Sequence, residues 1–225
     1  MSSDTAIFLD FSNTITTVES ENDSLYKWLD FVGKKYHITT DIRSMFLTKR
    51  MEKLIEREKK YRTFMEINHE VLYELFSVEE IYEEEYYRFH EENLKLRPDF
   101  IDFITLAREK FRIVMVTDAD NIYTERTLSA LGIKEYFDHI VTAESVMAPK
   151  PDPRIFNAAL RLSNNPSRVV FIGDSERRDI EGAKRMKFYT LKMQDTPGPT
   201  IADATVHCFS DVAKIINNGT FYSVS

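Results

Sequence analysis

Cysteine is nearly missing from this 225-residue chain, in which Cys208 stands alone. No internal disulfide can form, and a cysteine-based zinc site is excluded with it. Positive charge is also in short supply: 30 Lys and Arg face 37 Asp and Glu, a formal charge of −7. A broad nucleic-acid surface would need a basic patch, so no nucleic-acid partner is expected. A local cluster of donors can still hold a small anion against the global charge. The histidines (His37, His69, His90, His139 and His207) show no ligand spacing and read as surface or internally satisfied side chains. No apolar run approaches the ~18 residues a membrane span requires, and the short stretch before Asp10 leaves no room for a signal peptide. Together with the lone thiol, these absences lead to the expectation of a cytoplasmic location. What is present, 43% apolar and 30% charged residues, is the composition of an ordinary globular protein. The length suffices for a full core and an accessory domain.

The pattern along the chain changes twice. Residues 6–11 read as a buried strand. From Glu19 to Leu96 the chain has no proline and Gly33 as its only glycine, and its apolar residues recur at helical spacing. Leu25, Leu29, Val32 and Tyr36 form one stripe, Met51, Leu54 and Ile55 begin another, and Ile67, Val71, Leu72 and Leu75 form a third. The acidic run Glu79–Glu85, interleaved with Ile81 and Tyr82, reads as the solvated face of a long helix. From Pro98 onward strands and helices alternate. Helices are expected over 98–110 with Pro98 in the first turn, up to Gly132, after Asp152-Pro153, over 177–186 and over 210–217. Strands are expected over 112–117, 139–142, 168–172, 188–191 and 205–208, with Pro197-Gly198-Pro199 as a loop. Such alternation predicts an α/β fold, a doubly wound parallel sheet with a Rossmann-like core. The core takes residues 1–16 and 97–225, and residues 17–96 form an inserted all-helical cap.

Four motifs stand out within this frame. Ile7-Phe8-Leu9-Asp10-Phe11-Ser12-Asn13-Thr14 is an apolar run ending in a carboxylate, and Ile113-Val114-Met115-Val116-Thr117-Asp118 is one ending in a hydroxyl. Lys150-Pro151 follows, with Pro153 close behind. Val169-Val170-Phe171-Ile172-Gly173-Asp174-Ser175-Glu176-Arg177-Arg178-Asp179 ends in two carboxylates. Ligands of open parallel sheets bind at the carboxyl ends of the strands, so Asp10, Thr117 and Asp174 are expected to meet at one edge. Each residue alone has a bland explanation: a loop carboxylate, a helix cap, a satisfied hydroxyl, an exposed lysine. The four together, in order, point to a shared site.

In order and spacing these motifs resemble those of the haloacid dehalogenase superfamily, and the helical insertion resembles its helical-cap branch. The resemblance covers the core; the cap matches in position and helicity only. It implies a hydrolase in which Asp10 is the nucleophile, attacking phosphorus to form an acyl phosphate. Asp10 and Asp174 would share Mg²⁺, a hard cation that favours oxygen ligands, with the backbone carbonyl of Ser12 as a further ligand and Asp179 orienting the set. Lys150 would neutralise phosphoryl oxygens and temper repulsion among the carboxylates. Thr117 would donate a hydroxyl hydrogen bond to the same group, with Ser12, Asn13, Thr14 and Asp118 lining the substrate. Asn13 stands where the family usually has Gly, and Asn tolerates a left-handed backbone.

Ser12 departs from the family pattern. Its position usually carries a second Asp that protonates the leaving alcohol and later activates water, work for which a serine has no suitable pKa. The expected substrate is a small anionic, phosphorylated molecule, turned over slowly or through a good leaving group unless a cap carboxylate stands in. The many acids of the cap single out no candidate. Two alternatives remain: a 2-haloacid dehalogenase acting through Asp10, against which the charge of Asp174 argues, and a catalytically weak protein that binds phosphate or metal. A lysine Schiff base is a minor variant. Arg43, Lys49, Arg50 and Lys53 read as solvated helix faces, and Trp28 with the cap's Tyr and Phe residues as core. Oligomeric state is open.

Overall fold

A computed structural model describes residues 4–80 and 83–219. Its centre is a six-stranded sheet built from β1 (Thr5–Leu9), β2 (Arg112–Thr117), β3 (His139–Thr142), β4 (Arg168–Gly173), β5 (Tyr189–Met193) and β6 (Ala204–Val206). The order is β3-β2-β1-β4-β5-β6, and all the strand pairs run parallel. The near-continuous apolar runs of β1, β2 and β4 suit strands covered on both faces. Alternation along them divides the core in two. Ile7, Leu9, Ile113, Met115, Val170 and Ile172 belong to one cluster, shared with helices α5 (Phe100–Ala107) and α10 (Phe209–Asn217). Ala6, Phe8, Val114, Val116 and Phe171 belong to the other, shared with α8 (Pro153–Leu162). Between these lie α6 (Asn121–Ala130), α7 (Ala143–Val146) and α9 (Gly182–Arg185).

Between β1 and α5 the chain forms a block of four helices: α1 (Val18–Lys35), α2 (Ile42–Arg57), α3 (Phe64–Phe76) and α4 (Glu83–Asn93). Side-chain caps start three of them, from Thr17, Asp41 and Thr63, the last as a reciprocal capping box with Glu66. Trp28 is fully buried at the block's centre, edge-on to Phe46 and Tyr86 at centroid distances of 5.7 and 5.0 Å. The first sheet cluster continues without a break through Phe11 and Ile15 into this block.

Two connections hold the block over the sheet. The outgoing and returning chains pair as a short antiparallel neck at Thr16 and Leu96. Below it the buried Arg97 guanidinium donates to the carbonyls of Asn13 (2.8 Å) and Thr14 (3.0 Å) and to Asp195 (2.7 Å). Farther out, the buried Asp120 carboxylate accepts the first N–H groups of α3, from Phe64 (2.7 Å) and Met65 (3.3 Å), a favourable place for an anion. Arg57 lies 3.6 Å from Asp120 and donates to the Asp118 carbonyl at 2.9 Å.

Several boundaries differ from expectation. Asp99, not Pro98, stands at the N-cap of α5, so the proline precedes the helix. Residues 176–181 form a π-helical turn before α9 instead of a continuous helix over 177–186. The last strand ends at Val206 rather than Cys208. The long acidic helix begins at Glu83, and residues 77–80 have no regular structure; Ile81 and Tyr82 lie outside the described residues. The stripe begun by Met51, Leu54 and Ile55 divides: Leu54 packs against the core, while Met51 and Ile55 are 60% and 56% exposed, because this face of α2 lines a cavity. Among the described residues no helix is long and apolar enough to cross a membrane.

One internal histidine gives the block a pH dependence. His90 is buried, its Nδ1 bonded to the Tyr86 carbonyl at 2.7 Å, and burial pushes its pKa down to about 4. A depressed imidazole favours the folded state while neutral, and that contribution is lost as pH falls from the ordinary value of 6.5 toward about 4. Replacing His90 by Phe should flatten part of the acid limb of stability. Urea titrations at neutral pH and ~pH 5 should show wild type losing about 2 kcal/mol more than His90→Phe over that interval; equal losses would contradict it.

Candidate active site

The sheet order places β1 between β2 and β4, where successive connections depart to opposite sides, the position at which parallel sheets open a crevice at their carboxyl ends. Asp10 follows β1 directly, its N–H bonded to Ile172 of β4 at 2.9 Å. The chain then turns sharply, with the N–H groups of Thr14, Ile15 and Thr16 converging on the Phe11 carbonyl. Asn13 takes up the strain at φ 61°, in the left-handed region that Asn tolerates. Thr14 donates its hydroxyl to Asp10 Oδ2 at 3.2 Å.

Lys150 reaches this carboxylate from the loop between α7 and α8. Its ammonium is buried, 2.5 Å from Asp10 Oδ1, 2.6 Å from Asp179 Oδ1 and 3.0 Å from the Val116 carbonyl. Burial by itself would lower the lysine, and the carboxylates of Asp10, Asp179 and Asp118 more than reverse this, keeping the ammonium charged. Asp10 is raised as well, here by burial itself: Lys150 opposes the rise, and Asp179 and Asp174 add to it. Asp174 is raised to about 6, by burial and then by Asp179.

One carboxylate oxygen from each of Asp10, Asp174 and Asp179 lies within 4.8 Å of the others. Asp179 is fixed by the Ser175 N–H, 2.9 Å from its Oδ2, while its buried Oδ1 accepts no directed hydrogen bond. The approach of Asp179 is possible because residue 173 is glycine; a β-carbon there would sit 2.5 Å from the Asp179 side chain. An all-oxygen set with one ammonium for three carboxylates fits a hard divalent cation such as Mg²⁺.

The remaining expected residues divide. Thr117 is the last residue of β2; it is buried, and its hydroxyl oxygen accepts the Ala119 N–H at 3.2 Å. Ser12 and Asn13 line a cavity of about 550 Å³ between the sheet edge and the helical block. Asp118 also lines it, but its carboxylate is engaged by the Lys150 N–H (2.7 Å) and by Arg178 (3.4 Å). Its evident work is to hold the lysine loop. Arg43, Lys49 and Lys53 pair with acids of the block, the first two at the surface and Lys53 buried between Glu70 and Glu74. Arg50 does not follow them: it lines the cavity.

Glu21 was not singled out by sequence. It enters the cavity from the first turn of α1, where an acid otherwise reads as a simple helix-dipole partner. Its carboxyl accepts a hydrogen bond from the Thr16 hydroxyl; burial raises it to about 7, with the Thr16 and nearby Ser12 hydroxyls opposing the rise. Only the neck, which folds α1 back over the Asp10 loop, brings it there.

Comparison with known proteins agrees with this architecture. The family model for haloacid dehalogenase-like hydrolases matches residues 5–187. The glyceraldehyde 3-phosphate phosphatase of Methanopyrus kandleri is 35% identical over 103 residues, covering 45% of this chain and 44% of its own; the chain thus spans less than half of that relative. The hydrolase YfnB of Bacillus subtilis, solved with magnesium, superposes with a TM-score of 0.79 at 20% identity, over 96% of this chain and all of its own. A phosphatase of Thermococcus onnurineus gives 0.76 at 25% identity, over 94% and 97%. The chain belongs to the haloacid dehalogenase-like hydrolases.

Proposed function

We propose that this protein is a Mg²⁺-dependent phosphatase that hydrolyses small phosphomonoesters through a phospho-Asp10 intermediate. The observation that carries this reading is the buried cluster in which Lys150 bridges Asp10 and Asp179 with Asp174 alongside. Asp10, Asp174 and the Ser12 carbonyl are the groups that would hold the ion, with Asp179 behind them. Bound Mg²⁺ supplies charge neutralisation for the phosphoryl oxygens.

A carboxylate oxygen of Asp10 attacks phosphorus, forming the acyl phosphate and breaking the bond to the leaving alcohol. Lys150 and the Thr117 hydroxyl hydrogen-bond the non-bridging oxygens as charge develops. The leaving oxygen takes its proton from the Glu21 carboxyl, which lines the cavity together with Ser12 and so takes the role Ser12 itself lacks. Water then attacks the phosphorus of phospho-Asp10, giving its proton back to Glu21, and phosphate leaves with Asp10 restored. The phosphatases among its relatives support this reaction over dehalogenation. So does the cluster's excess negative charge, which opposes a haloacid carboxylate at the reacting centre.

Phosphate release from a panel of phosphomonoesters should require Mg²⁺, stop with EDTA, and drop to background in Asp10→Asn; undiminished release by that variant would end the proposal. Glu21→Gln should slow alkyl phosphates by about 10²–10⁴-fold, and aryl phosphates with good leaving groups much less. A uniform loss across leaving groups would remove Glu21 from proton transfer. Mg²⁺ at about 100 times its Kd should stabilise the fold by about 2.7 kcal/mol, a rise of roughly 5–10 °C in melting temperature for a chain of this size. Asp174→Asn should lose most of that rise, and a variant that retained it would place the ion elsewhere.

A further inference from the structure

Several basic side chains of the helical block meet carboxylates. Arg43, Lys49, Lys53, Arg57, Arg62 and Arg88 each lie within ion-pair distance of a carboxylate. Among the described residues Arg50 has no such partner. Its Nε donates to Asn68 Oδ1 at 2.9 Å, and its guanidinium lies 5.0 Å from the centroid of the Phe64 ring. These contacts fix the plane of the guanidinium and leave both terminal NH₂ groups without a protein acceptor. Asn68 is fully buried, and its own amide nitrogen has no hydrogen-bond partner, so the contact visible for this side chain is the one that orients Arg50. Burial and the neighbouring Arg57 hold Arg50 below the ordinary arginine range. A half-buried guanidinium that lines a cavity without an ion pair is free to meet an anion there, and planar, pre-oriented arginine is the side chain best suited to carboxylate or phosphate oxygens.

The surroundings describe the rest of such a ligand. Arg50 and Lys150 line the same cavity, Arg50 from the helical block and Lys150 from the sheet edge. Leu25, Leu47, Met51 and Leu54 supply an apolar wall from α1 and α2. At about 550 Å³ the cavity has room for a small organic molecule beyond one phosphoryl group. Arg50 lowers the pKa of Glu21 across the cavity, and Asp120 is the acid whose charge acts on Arg50 itself, with no ion pair to either.

We infer that Arg50 binds a second anionic group on the leaving-group side of the substrate, so that the protein acts on small phosphomonoesters that end in an acid. The inference rests on the phosphatase reading and names the substrate class for the same site. The phosphoryl group takes the Lys150 end, a short carbon skeleton lies along the apolar wall, and a carboxylate or a second phosphate meets the Arg50 fork.

The test uses phosphorylated hydroxycarboxylates of increasing chain length, each beside the neutral monophosphate of the matching diol and the corresponding bisphosphate, with Mg²⁺ present. At the best length the wild-type protein should favour an acid-bearing ester over its neutral partner by on the order of 10²-fold in kcat/KM. The faster of carboxylate and bisphosphate identifies the anion. Arg50→Gln should bring the ratio of acidic to neutral substrate close to unity, with the change mainly in KM, and Arg50→Lys should restore part of it. The wild-type comparison stands even where a variant folds poorly. Equal turnover of acidic and neutral esters by wild type overturns the Arg50 assignment and leaves the phosphatase reading intact. Release from neither class overturns the phosphatase reading and this inference with it.

Discussion

The Lys150 ammonium is buried between Asp10 and Asp179, and much of the molecule is arranged to keep it there. One positive charge among three carboxylates is tolerable only where every partner is fixed, since removing one member of a buried pair typically costs about 3–5 kcal/mol. Asp118 holds the lysine loop through its backbone N–H, Ser175 holds Asp179, and Thr14 holds Asp10. Gly173 clears the space through which Asp179 approaches. The parallel order of β2, β1 and β4 supplies the frame, because it sets three strand ends side by side.

The helical block depends on the same frame from the other direction. Arg97 ties the neck to the carbonyls of the Asp10 loop, so the block's attachment and the loop's geometry share one guanidinium. Asp120, a short way beyond the end of β2, caps α3 and lies beside Arg57. The cavity is therefore bounded by elements anchored to strand ends on one side and to a pinned neck on the other. Its apolar and cationic lining from α1 and α2 faces the site because those anchors set the block's orientation.

Periodicity and strand-end motifs made the sheet, its connections and the strand-end positions of Asp10, Thr117 and Asp174 legible, since each signal is local: an apolar run, a turn residue, a charged residue at a fixed offset. The cavity face of α2 was not legible. Met51 and Ile55 have the spacing of core residues, and nothing along the chain distinguishes an apolar stripe that packs from one that borders a cavity. Arg50 was hidden for a related reason. It stands among Arg43, Lys49 and Lys53 with the same local appearance, and only the positions of Asp30, Glu70 and Glu74 in space show which of the four has no acid to meet.

The sequence by itself determined the fold class, the order of the motifs and the absence of a carboxyl at residue 12, because backbone periodicity and residue chemistry are written along the chain. Tertiary structure alone decided which distant carboxyl comes to lie beside Ser12 and which cation enters the cavity unpaired. Glu21 reaches Ser12 through the pairing of Thr16 with Leu96, a contact between segments 80 residues apart that encloses the whole helical block. The neighbours of Arg50 are likewise set by how that block packs upon itself and upon the sheet, and packing of this kind depends on many weak contacts that no short stretch of sequence contains.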